Sequence, residues 1–61
     1  MKFTAGETLT IIVQDVTLLI KVEDASKGDV ISARVEEVKS GGGSYQPGQV
    51  YEFNRSGIIE A

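Results

Sequence analysis

Residues 7–24 read ETLTIIVQDVTLLIKVED, a passage with two runs in which aliphatic and polar side chains alternate. Alternation with a period of two residues is typical of a β-strand that buries one face. We predict one strand at 7–13 and a second at 16–24, joined by Gln14 and Asp15. Two residues between alternating runs favour a tight hairpin, although neither is glycine or asparagine, which such turns prefer.

The rest of the chain continues as short β-type segments separated by turn residues. The turn at 25–28 ends in glycine, and the turn at 46–49 has proline and glycine at its two central positions, a type II pattern. Between and after these turns the sequence predicts strands at 30–38, 49–53 and 58–60. The fold class is therefore all-β, with five strands.

The alternation in the third predicted strand breaks near Glu36 and Glu37. One extra residue at this point would return Val38 to the apolar face, which is the pattern of a β-bulge. Because bulges bend strands, they suit a small barrel. Five short strands with a bulged third strand predict a small five-stranded SH3-like barrel, with an OB-like barrel as the runner-up.

Length and composition limit the chemistry available to the protein. The chain has 61 residues, without cysteine or histidine, so disulfides and Cys–His or Ser–His–Asp nucleophiles are excluded. The acidic residues lack the regular oxygen-ligand spacing of a calcium loop. We expect one domain over 1–61 with a flexible glycine-rich loop at 40–46, either natural or an engineered linker. We expect no enzymatic activity, no metal and no cofactor.

The charge balance bears on the class of partner. The net charge is −3 at pH 7, whereas nucleic-acid binders usually carry a basic surplus. The longest apolar runs, 11–13 and 18–20, fall far short of the roughly 20 residues needed to span a bilayer. We therefore expect a cytoplasmic protein without a membrane partner, for which nucleic-acid binding is disfavoured.

The hairpin predicts two side chains that a barrel core would not need. Its register places Ile12 and Leu19 as diagonal neighbours on the face opposite the core, within side-chain reach of each other. Threonines surround them, and Lys21 and Arg34 lie at the edge. Small domains often gain stability by oligomerisation. These four residues form the predicted interface with a protein partner or a second copy.

The second turn sets the neighbours of this face on the third strand. A four-residue turn would place Leu19 opposite Arg34, and Val30 opposite Glu23.

Two alternatives to an interface stay open for Ile12 and Leu19. The amino-terminal segment with Phe3 folds over them, or they are scattered surface aliphatics of the kind that is common in soluble proteins.

The predicted function is that of a non-enzymatic binding or assembly module that acts through protein–protein contact or self-association. The alternative is a single-stranded nucleic-acid-binding protein. Such proteins stack bases on aromatic side chains beside basic residues. The residues available for that site are Tyr45, Tyr51, Arg34, Arg55 and Lys39.

Overall fold

A computed structural model of the chain describes residues 3–41 and 43–61. The all-β prediction is confirmed, because this part of the chain forms five strands and one short 3₁₀ helix, and each strand ends within two residues of its predicted bounds. The elements in chain order are β1 (Thr8–Val13), β2 (Val16–Asp24), β3 (Val30–Ser40), β4 (Val50–Asn54), the 3₁₀ helix (Arg55–Gly57) and β5 (Ile59–Glu60).

The strands form a single antiparallel sheet in the order β4-β3-β2-β1-β5. β1 to β4 follow one another as a meander, and the 3₁₀ helix carries the chain back so that β5 pairs with β1. Within the described residues no pairing joins β4 to β5, so the sheet is open between them. The closed barrel, whether SH3-like or OB-like, stays a prediction.

The hairpin between β1 and β2 has the predicted two-residue turn. Val13 pairs with Val16 and Ile11 with Leu18, which gives the expected register. Gln14 and Asp15 both have positive φ angles, at 49° and 68°. Positive φ at both central positions is the type I′ conformation, whose twist matches that of the strands.

The predicted bulge in β3 is also confirmed. Ile20 pairs with Val35 whereas Leu19 pairs with Glu37, which leaves Glu36 as the extra residue on β3. Val38 then lies opposite Leu18 and packs against the core. Two further irregularities occur on the β2–β3 pair. Such insertions bend a strand and increase its twist, so this sheet curves around its core.

The predicted register after the second turn is wrong by two residues. Arg34 lies opposite Lys21 rather than Leu19, and Val30 and Glu23 do not pair across β2 and β3. The connection is wider than a four-residue turn because hydrogen bonds from Arg55 hold its backbone against the 3₁₀ helix. A shift of two residues preserves the facing of each side chain.

The core lies on one face of the curved sheet. Residues outside the strands complete it, since Phe3 and Ile58 are each only 5% exposed. Half-buried tyrosines from β4 and the preceding loop pack against its edge. The buried side chains are Phe3, Ile11, Val13, Val16, Leu18, Ile20, Val22, Ile31, Ala33, Val35, Phe53 and Ile58.

The segment predicted as a flexible loop at 40–46 begins with ordered contacts. Ser40 still belongs to β3, and Gly41 lies against the backbone of Asp15 and Val16 in the hairpin. Tyr45 packs against the core. Gly42 lies outside the described residues, and the flexibility of the loop stays a prediction.

Candidate protein interface

The face of the sheet opposite the core carries a continuous row of aliphatic side chains. Ile12 lies opposite Thr17 on β2 and opposite Ile59 on β5, and Leu19 lies opposite Thr10. Ile12 and Leu19 are therefore diagonal neighbours, as predicted from the hairpin. We call Ile12, Leu19 and Ile59 the outer patch.

Ile59 is the member of the outer patch that sequence reasoning missed. It is 64% exposed, while its neighbour in sequence, Ile58, is 5% exposed and belongs to the core. Adjacent strand residues point to opposite faces, so two successive isoleucines imply that one of them faces outward. That signal was present in the sequence, but the pairing of β5 with β1 was needed to place Ile59 beside Ile12.

The two predicted cations lie next to each other at the edge of the outer patch, Lys21 on β2 and Arg34 opposite it on β3. Arg34 Nε donates to Glu36 Oε2 at 2.9 Å, and this bond raises the pKa of Arg34 above its ordinary value. The pair is about one-third to two-fifths exposed, so solvent screens it. Lys21 forms no ion pair with any residue that the structure describes.

An anion that the sequence analysis did not assign to the interface lies on the same rim. Glu37 pairs with Leu19 across β2 and β3 because of the bulge at Glu36. It is exposed and has no ion-pair partner within residues 3–41 and 43–61. The outer patch is thus flanked by one unpaired cation, Lys21, and one unpaired anion.

Phe3 does not cover the outer patch, so that alternative is wrong. Its ring belongs to the core cluster on the opposite face of the sheet. The guanidinium carbon of Arg55 lies 5.7 Å from the centre of the ring, within the range of a cation–π contact. The packing of Phe3 with the core leaves Ile59, and in part Ile12 and Leu19, in contact with solvent.

The aromatic residues of the nucleic-acid alternative pack against one another. The Tyr45 ring lies 5.1 Å from that of Tyr51, edge to face, and 5.6 Å from that of Phe53, stacked. The Tyr51 hydroxyl accepts from the Gln46 backbone N–H at 3.0 Å. Tyr51 is on the core face of β4, whereas Arg34 is on the outer face of β3.

The other two basic residues of that alternative are also apart. Arg55 Nη2 donates to the carbonyl oxygens of Ala25 at 2.8 Å and Lys27 at 3.3 Å. The guanidinium is therefore bound to the turn between β2 and β3. Lys39 is exposed near the end of β3. The predicted set is thus divided between surfaces, and nucleic-acid binding stays a prediction.

The acidic residues around the second turn are engaged locally. The Ser26 backbone N–H and hydroxyl donate to Asp24 Oδ1 at 2.8 and 2.7 Å, and these bonds hold the pKa of Asp24 below its ordinary value. Lys27 pairs with Glu52 at 3.7 Å, with both side chains about two-thirds exposed. Among the described residues, no three acidic side chains come together in a way that could hold a metal ion.

The described strands and the 3₁₀ helix include no helix of the length and apolar character needed to cross a membrane. Comparisons of this chain with protein-family models, curated proteins and solved structures find no match.

Proposed function

We propose that the chain is a non-enzymatic assembly module that self-associates by covering the outer patch with a second copy of itself. The proposal includes the cytoplasmic setting and the SH3-like fold predicted from the sequence. The strand order β5-β1-β2-β3-β4, with a 3₁₀ helix before the last strand, supports that fold.

The single observation that carries the proposal is the position of Ile59. A lone exposed isoleucine would need no explanation. Ile59, however, lies directly opposite Ile12, which is itself a diagonal neighbour of Leu19. Removing such a surface from water contributes about 25 cal/mol per Å² of apolar area. A small domain without disulfides gains proportionally more from this burial than a large one.

The charges on the rim favour a second copy as the occupant. Lys21 and Glu37 both flank Leu19, and neither has an ion-pair partner in the part of the chain that the structure describes. A symmetric interface brings the same surface of both copies together. A rim that carries both signs is then complementary to itself, whereas a partner of one sign would leave one of these groups opposed by a like charge.

The dimensions of the molecule set the expected strength of the contact. The molecule extends over only 27 × 21 × 17 Å, and the three aliphatic side chains of the outer patch cover less than the ~800 Å² of accessible surface per partner in a standard stable interface. We therefore expect a dimer that forms and dissociates with concentration rather than a permanent one.

Sedimentation equilibrium across a wide concentration range tests the proposal. The wild-type mass should rise from monomer towards dimer, and Ile59→Lys should hold the protein at the monomer mass. Val50→Lys is the matched control, because Val50 is a similarly exposed aliphatic residue (56%, against 64% for Ile59) on the far side of the same face. It should associate like the wild type.

Two results would contradict self-association. One is a wild-type protein that stays monomeric at about 1 mM, which would limit the binding free energy to less than ~4 kcal/mol. The other is an equal loss of association in Ile59→Lys and Val50→Lys, which would indicate a general effect of added charge. Urea unfolding of each variant shows whether Ile59→Lys keeps the stability of the wild type, as its exposure predicts.

A further inference from the structure

β4 has a free edge whose backbone groups can be assigned. It pairs only with β3 among the described strands. The Val35 N–H donates to the Gln49 carbonyl at 2.9 Å, and the Arg55 N–H donates to the Asp29 carbonyl at 2.8 Å. Both bonds join β4 and its flanking residues to β3. Since alternate residues of an antiparallel strand bond to the same side, the groups that point to the free edge are the N–H and C=O of Val50 and Glu52 and the N–H of Asn54, whose carbonyl begins the 3₁₀ helix as its N-cap.

A cavity lies beside this free edge, between β4 and the tip of the β1–β2 hairpin. Its volume is about 200 Å³, below the roughly 300–1,000 Å³ typical of sites for drug-sized ligands. Val13, Tyr45 and Phe53 give it apolar walls, and Glu52 and Asn54 border it. An unpaired strand edge beside a small apolar cavity suits an extended peptide, which supplies backbone hydrogen bonds and one buried side chain.

The charges around the cavity select the kind of peptide. Glu52 borders it and Asp15 follows the lining residue Gln14, while no lysine or arginine lines it. The ion pair of Glu52 with Lys27 spans 3.7 Å and is largely exposed, so solvent weakens it. Pairing of β4 with β4 of a second copy about its centre would bring the two Glu52 side chains together, and like charges in directly opposed positions are destabilising.

We propose that an extended basic segment of another protein adds to the free edge of β4 as a further strand and places one aliphatic side chain in the cavity. A lysine of that segment lies opposite Glu52. The site is separate from the outer patch, which is formed by β1, β2 and β5, so either surface can function without the other.

The experiment uses three acetylated and amidated hexapeptides as probes, with the full chain labelled with ¹⁵N. The first alternates valine with lysine, the second alternates valine with glutamate, and the third is the lysine peptide with N-methyl groups on its pairing edge. We expect the lysine peptide to bind and to slow amide exchange at Val50, Glu52 and Asn54 at least tenfold. The other two peptides should bind at least tenfold more weakly.

Two variants of an exposed residue connect the binding to this edge. Glu52→Lys should reverse the preference, so that the glutamate peptide binds more tightly than the lysine peptide. Glu52→Pro removes an N–H that points to the free edge, and proline is tolerated at such edge positions because the bonds to the neighbouring strand remain. Because Glu52→Pro also removes the carboxylate, it should weaken the lysine peptide at least tenfold without the gain in glutamate-peptide binding expected of Glu52→Lys, while the amides of β3 keep their protection from exchange.

Three results would each overturn the proposal. The first is the absence of binding of the lysine peptide at millimolar concentration. The second is equal binding of the N-methylated peptide, because backbone pairing would then play no part. The third is a set of shifts confined to the outer patch. None of these results depends on whether the chain self-associates, so the failure of this site and that of the proposed function are distinguishable.

Discussion

Gly41 and Gly48 have nearly the same positive φ, 89° and 87°, but their surroundings differ. A β-carbon at Gly41 would lie 2.6 Å from the Asp15 carbonyl oxygen and 2.9 Å from the Val16 α-carbon, whereas one at Gly48 would meet nothing within 4 Å. Positive φ costs a non-glycine residue about 1 kcal/mol or somewhat more. At Gly41 a backbone collision adds to that strain.

We therefore expect Gly48→Ala to lower the free energy of unfolding by about 1 kcal/mol and Gly41→Ala to lower it by about 3 kcal/mol or more. Urea denaturation of both variants and the wild type measures the difference. Equal losses in the two variants would show that the contact of Gly41 with the hairpin is not maintained in solution.

The same glycine illustrates what the sequence can and cannot indicate at this scale. Residues 40–44 read SGGGS, a composition typical of flexible linkers. Nothing in that composition signals that Gly41 lies against Asp15 and Val16, because the contact joins residues far apart in the chain. Local composition predicts that these residues can adopt many backbone conformations. Only the packing of the whole sheet shows which glycine needs a positive φ and a close approach to another segment.

At the scale of elements, local sequence patterns predicted the strands, the hairpin and the bulge correctly, but they did not predict the register across the longer connection. The bulge at Glu36 followed from the change of parity within one strand, and the hairpin followed from two adjacent alternating runs. The register of Lys21 with Arg34 did not follow from the turn residues at 25–28. The length of that connection depends on Arg55, which belongs to the 3₁₀ helix and bonds to the backbone of the turn.

Replacement of Arg55 tests this dependence. Its guanidinium bonds to the Ala25 and Lys27 carbonyls and lies over the ring of Phe3. Hydrogen bonds that involve a charged group contribute about 1.5–3 kcal/mol, so Arg55→Ala should lower the free energy of unfolding by about 2–3 kcal/mol. Arg55→Lys should recover only part of the loss, because an ammonium lacks the planar fork.

Arg34→Ala is the matched control, because the Arg34 guanidinium pairs with a partly exposed Glu36 and such pairs contribute about 0–1 kcal/mol. Thermal unfolding of the three variants checks the order. If Arg55→Ala were as stable as Arg34→Ala, the second turn would owe its conformation to its own residues rather than to the 3₁₀ helix.

At the scale of the whole molecule, the sequence predicted part of the candidate interface. Ile12 and Leu19 were found from parity within a hairpin, where both strands are close in the chain. Ile59 could not be found in this way, because its position beside Ile12 depends on the return of the chain from β4 to β1. Glu37 was missed for a related reason, because its facing depends on which residue the bulge leaves unpaired.

The charges on the rim of the outer patch, Lys21 and Glu37, determine how strongly two copies associate in a symmetric dimer. If Lys21 of one copy approaches Glu37 of the other, Lys21→Glu and Glu37→Lys should each weaken dimerisation about two- to fivefold, which corresponds to the contribution of up to ~1 kcal/mol of an exposed charge pair. The double variant restores both signs and should regain most of the affinity.

Lys39→Glu is the control, because it changes the net charge as Lys21→Glu does, at an exposed residue outside the predicted interface. Sedimentation equilibrium at low and high salt measures all four variants, and their differences should shrink at high salt as screening increases. A double variant that associates no better than either single variant would rule out this pairing, even if the outer patch holds the two copies together.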